Sequence, residues 1–172
     1  MSEISTKPGP KRFYGKFRGL VINNIDPMQK GRIMAQVPDV LGIIPSSWAL
    51  PCVPCAGIQA GTFMVPPIGS QVWMEFEQGD PNSPIWTGGF WGTFAEVPAL
   101  ALIPPAIPPG QNIVLQTTGQ TTLVLSDAVP TPLTGGIILK SGASAIVINA
   151  TGIYITAPIV AINGTALVVL GP

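Results

Sequence analysis

Histidine is absent from all 172 residues, which removes the commonest general base and the commonest metal ligand. Charge is scarce as well. Eight basic and eight acidic side chains make up 9% of the chain and cancel to zero, against about 25% in ordinary soluble domains. A monomer with so few charges hydrates its surface poorly, so much of that surface is expected to be covered by other chains or by a membrane. The membrane option fails. A spanning helix needs about 20 apolar residues, and the best uncharged apolar run, residues 97–110, is shorter and holds five prolines. The N-terminal residues contain no apolar core of a secretory signal. The chain is therefore expected to be made and kept in the cytoplasm before assembly. Cysteine occurs only as Cys52 and Cys55; glycine and proline are abundant at 20 each.

The charges divide the chain. Residues 1–96 hold seven basic and seven acidic side chains and all four tryptophans, Trp48, Trp73, Trp86 and Trp91. Beyond them only Asp127 and Lys140 are charged. Prolines 98, 104, 105, 108 and 109 mark a stiff, extended linker. The expected organisation is a tail over residues 1–11, a β domain over 12–96, a linker over 97–110 and a second β region over 111–172.

The first part reads as short strands separated by turns: 14–23, 31–37, 69–77 and 84–90. In 69–77, alternation puts Val72, Met74 and Phe76 on one side and Trp73 and Glu75 on the other. No stretch shows helical periodicity. Four or five strands in this length fit a small closed barrel.

The second part repeats. Apolar stretches recur at 113–115, 123–125, 137–139, 146–148, 153–155, 159–162 and 167–170, with glycines between them. These are short strands with glycine-assisted turns. A flat monomeric sheet would bury one face and leave Val114, Val124, Ile138, Val147, Val160 and Val168 on the other, with long apolar edges that natural monomers avoid. Three copies wound about one axis remove the problem. The row placed at that axis is Ile113, Leu115, Leu123, Leu125, Ile137 and Leu139, continued by Ile146, Ile148, Ile153 and Ile155. The second row is expected to form a dry outer surface, with strands pairing between copies. The fold class is thus all-β: a barrel followed by an intertwined trimeric β-helix.

The first part also carries a series of motifs. They are Tyr14-Gly-Lys-Phe-Arg-Gly-Leu-Val, Asp26-Pro-Met-Gln-Lys-Gly-Arg-Ile, Gln36-Val-Pro-Asp, Trp48-Ala-Leu-Pro-Cys, Pro66-Pro-Ile-Gly-Ser-Gln-Val-Trp-Met-Glu-Phe-Glu-Gln-Gly-Asp-Pro and Pro84-Ile-Trp-Thr-Gly-Gly-Phe-Trp-Gly. In this order, over about residues 12–95, they resemble the OB-fold domain of contractile-tail spike proteins: phage baseplate assembly protein V, the VgrG proteins of type VI secretion, and the spikes of phage-like extracellular injection systems. The second part is similar to the family's needle in style rather than by motif. The resemblance implies a homotrimer whose barrels dock on a baseplate hub protein. Its needle meets the target membrane only on firing, and a PAAR-type tip protein caps the end at Leu170, Gly171 and Pro172. The chain departs from one branch of the family, because 172 residues leave no room for a lysozyme domain between barrel and needle.

Other candidate sites read as structural. Cys52-Val-Pro-Cys55 lacks the further ligands that zinc needs and the βαβ context of a redox motif, so the thiols are expected to be buried or half-buried. Glu75, Glu77 and Asp80 suggest paired carboxylates, and Glu75 and Glu77 share a strand face and so could approach each other, but no nucleophile or base accompanies them and a solvated or interface face is expected. OB folds bind single strands through aromatics in a basic groove. Here the barrel's charge balances to zero, which gives phosphates no attraction; its tryptophans are expected to pack on Gly88, Gly89 and Gly92. No catalytic residue, cofactor or metal is expected. The alternative is an OB-fold nucleic-acid-binding module with a self-associating tail.

Overall fold

The computed structural model describes residues 9, 11–102, 112–126 and 136–160. They form two compact units, divided between Gly92 and Thr93.

The first unit is a curled five-stranded sheet in the order β2-β1-β6-β7-β3. Its strands are β1 (Phe17–Asn23), β2 (Met34–Gln36), β3 (Leu50–Pro51), β6 (Gln71–Phe76) and β7 (Pro84–Phe90). A small hairpin, β4 (Ala56–Gly57) with β5 (Ala60–Gly61), stands apart from this sheet. β3 runs parallel to β7. Bridges from Ile33 to Ala49 and from Gln36 to Pro45 tie the segment before β3 back to the β2 side, so the sheet closes on itself in the OB manner. Two irregularities help it curl, because a bulge bends a strand and raises its twist. One lies between Val21 and Asn23, the other where β6 and β7 slip at Trp73 and Met74.

The expected alternation in β6 holds: Val72 and Met74 are fully buried and Phe76 nearly so. They meet Val21, Ile33, Ala35, Val37, Ala49 and Trp86 in one core. The Trp86 indole donates to the Gly31 carbonyl at 3.1 Å, so this large ring is buried without an orphaned donor.

One turn of helix, α1 (Pro38–Leu41), lies where only strand and turn were expected. Pro38 presets the first helical φ and Asp39 sits in the positive first turn. Four residues are too few for periodicity to reveal.

The second unit is a five-stranded antiparallel meander in the order β12-β11-β10-β9-β8. It comprises β8 (Asn112–Gln116), β9 (Thr122–Ser126), β10 (Gly136–Ser141), β11 (Ser144–Asn149) and β12 (Gly152–Thr156). Every described strand of this unit pairs with its sequence neighbour in the same chain, and β8 and β12 are the outermost of the described strands. The two-residue connection at Gly142, with φ of +56°, supplies the left-handed conformation that a tight hairpin requires. The next turn is fixed by Asn149, whose Oδ1 accepts from the Thr151 and Gly152 amides at 2.9 and 3.1 Å. Within the proline-rich stretch, Ala99–Ala101 form a 3-10 turn against β8, so its described part is not uniformly extended. Among the described residues no helix is long and apolar enough to cross a membrane.

Candidate trimer interface

The register of the meander brings the ten residues of the expected axial row onto one face. Ile113, Leu125, Ile137, Ile148 and Ile153 are direct partners across the five strands. Leu115, Leu123, Leu139, Ile146 and Ile155 form a second ladder two residues along. Directly opposed residues project to the same side, as do alternate residues of one strand. The row runs odd-numbered through β8, β9 and β10, even in β11 and odd again in β12. Each switch follows a two-residue hairpin connection.

In the single chain this face is largely bare. Ile153 is 68% exposed and Ile113 61%, while Leu123 is half-buried. Leu115, Leu123, Leu139, Ile146 and Ile155 line an open apolar groove of about 660 Å³ together with Ala157, Ile159 and Val160. Ile159 and Val160 were expected in a further strand but lie outside one.

The opposite row differs from expectation. At its centre Val124 is fully buried and Ile138 is 8% exposed, Val114 and Val147 are half-buried, and only Val160 of the described members is exposed as expected. The segment from Ala95 to Leu100 lines a cleft with Gln116, Thr122 and Lys140 on that same face. Among the described residues, then, the sheet is buried at the centre of one side and exposed along the ladders of the other. Val168, Asp127 and the tip residues Leu170, Gly171 and Pro172 lie outside the described residues.

In the barrel, several expectations give way. Cys52 and Cys55 are free and exposed, not buried, because they stand at the base of the projecting β4–β5 hairpin. Glu75 and Glu77 do not pair: Glu75 accepts from the Lys16 ammonium at 2.7 Å, whereas Glu77 begins a 3-10 turn past the end of β6. Asp80 accepts from the Asn82 amide at 3.0 Å and shapes the turn before β7. Of the tryptophans expected to pack on Gly88, Gly89 and Gly92, Trp73 stands directly opposite Gly88 across the β6–β7 pairing. A side chain at Gly89 or Gly92 would meet Gln71, and one at Gly88 would meet open space. The Trp73 ring also lies 4.6 Å from that of Phe90 between centroids, and the Arg18 guanidinium lies 5.9 Å from the Trp73 ring centre and 5.5 Å from that of Phe90.

One polar cluster was missed. Asp26 accepts from the amides of Met28, Lys30 and Arg32 and from the Arg32 guanidinium, the last at 2.6 Å. Its side chain is 3% exposed. The Arg32 guanidinium holds the Asp26 carboxyl well below the usual carboxylate range, with the backbone donors adding to the effect and desolvation opposing it. Arg32 also lies 5.5 Å from the Trp48 ring centre. The signal was present in Asp26-Pro-Met-Gln-Lys-Gly-Arg32, an Asx-type turn followed by a cation.

No curated protein matches the chain. Residues 17–91 match the type VI secretion system/phage-baseplate injector OB domain. Residues 112–170 match the phage baseplate V C-terminal trimerisation domain. The first match spans the curled sheet and the second spans the bare apolar ladders, and together they make the chain a trimeric baseplate spike protein of the phage baseplate V family.

Proposed function

We propose that this chain is the piercing spike at the centre of a contractile injection machine, and that its work is mechanical. Three copies bring their bare faces together, with the ten apolar residues turned to a common axis. Their barrels anchor the needle to a hub protein, and a PAAR-type tip protein caps the end that includes Leu170, Gly171 and Pro172. Sheath contraction supplies the energy and the needle passes it on. The protein has no catalytic task and binds neither cofactor nor nucleic acid; it is made in the cytoplasm and touches a target membrane only on firing.

The observation that carries this reading is the pair of unbroken apolar ladders left uncovered on one face. Burying a large aliphatic side chain stabilises by about 1.5–3 kcal/mol. The ladders repeat that gain across five strands in each of three chains, which suits a shaft that must not open under load. The barrel supports the same reading, since Arg18 already lies against the rings on which nucleobases would stack.

The test has two steps. Native mass spectrometry should find three copies. Electron cryomicroscopy of the intact particle, with a label on the barrel, should then place the label at the distal end of the tail axis, against the hub. A label on the sheath, or a trimer absent from the particle, would refute the proposal.

A further inference from the structure

Between Asp39 and Glu75 no residue carries a charge, although the same unit holds nearly all the chain's charged side chains. The structure places large apolar side chains of this stretch in the open: Ile43 is 88% exposed, Ile58 99%, Phe63 74% and Met64 62%. Single exposed apolar residues are ordinary; an uncharged surface studded with them marks a contact.

The β4–β5 hairpin is the sharpest part of this surface. Ala56 pairs with Gly61 and Gly57 with Ala60, so Ile58 and Gln59 form its tip. Gly61 has a φ of +146°, and a side chain there would strike the Cys55 carbonyl. The hairpin is therefore closed tightly. Tight turns favour Gly, Pro, Asn, Asp and Ser. Ile58 has none of the local advantages of these residues and is fully hydrated in the single chain. Residues that break a local rule are expected where another contact compensates. Two strands of two residues are also marginal in water without something to pack on.

We infer that this apolar surface, which Lys30 borders beside the hairpin, is a second contact between copies of the chain, in which the Ile58 tip of each barrel seats on other exposed residues of the 40–74 stretch of the next. The inference rests on the trimer held by residues 112–170. Once those residues associate, the stretch 93–111 tethers each barrel by at most about 65 Å of chain. Tethering of this kind sets effective concentrations near the millimolar range, so a weak apolar contact is populated without having to hold the trimer. A projecting tip on one barrel and a receiving face on the next make a head-to-tail contact, which closes into a ring when the rotation allows it. Such a ring requires the three barrels to share one axis, which an intersubunit crosslink from the tip would report.

Photo-crosslinking tests this on the full-length trimer. Ile58→p-benzoylphenylalanine is placed in one isotopic population and mixed trimers are made with unlabelled chains. The tip is wholly exposed, so the barrel keeps its fold. The expected result is an intersubunit crosslink mapping within residues 40–74 of a neighbouring copy. Crosslinks confined to the same chain, or formed only when a baseplate hub is added, overturn the inference and leave the trimer reading standing. A second measurement uses Ile58→Asp. The trimer mass should stay unchanged, because the spike holds it, while amide exchange over residues 56–61 speeds up at least tenfold. Equal exchange in both proteins overturns the barrel contact. A monomeric parent chain overturns the trimer reading and this inference with it.

Discussion

Replacing Ile148 with aspartate separates the two faces of the meander cleanly. Ile148 is 39% exposed in the single chain, so the change leaves each sheet able to form, while a trimer would bring three carboxylates together. The lost apolar burial is a part of the roughly 1.5–3 kcal/mol of a whole side chain, about 1 kcal/mol per chain and ~3 kcal/mol per trimer. The charge contributes more. Burying a polar group without a partner costs roughly 2–7 kcal/mol, and an ionised carboxylate would rather take up a proton. Together these exceed about 9 kcal/mol per trimer, a weakening of at least six orders of magnitude at 1.4 kcal/mol per decade. Native mass spectrometry at neutral pH should show monomer where the parent shows trimer. Acidification should restore part of the trimer, because the neutral carboxylic acid is the form that tolerates burial. Tyr154→Asp, at an exposed position on the opposite face, should leave assembly intact. An Ile148→Asp trimer with the parent's melting temperature at pH 7 would refute the axial placement of this row.

Three further outcomes are expected. In the barrel, Asp26 has a folded pKa below its unfolded value of about 3.9. Its contribution is therefore complete above that value and is lost as pH falls further; melting curves should show a loss of barrel stability below about pH 4 that Asp26→Asn largely abolishes, alongside a lower melting temperature at pH 7. Trp86→Phe removes the indole donor to the buried Gly31 carbonyl and should destabilise the barrel by about 1–3 kcal/mol in denaturant titrations. Gly136→Val would drive a side chain into the Ile148 carbonyl across the β10–β11 ladder; it should lower the melting temperature of the spike while leaving the barrel's transition in place.

The sequence by itself determined a good deal. Alternation in residues 72–76 showed which side of β6 is core, because strand side chains can only alternate. The near absence of charge beyond residue 96 required partners, because apolar strands must be covered. The spacing of the apolar triplets was enough to collect all ten ladder residues, including the switch of parity at Ile146 and Ile148. Register, however, depends on turn geometry and pairing, and only the tertiary structure showed the two ladders to be continuous across five strands. It also decided which face is buried: Val124 and Ile138 are covered, and residues 95–100 share a cleft with Gln116, Thr122 and Lys140, residues too far apart in sequence for any local pattern to bring together. The exposure of Cys52 and Cys55 and the parting of Glu75 from Glu77 have the same origin. A strand's end and a hairpin's projection are set by what packs around them, so neighbouring residues with one local pattern meet different surroundings in the fold.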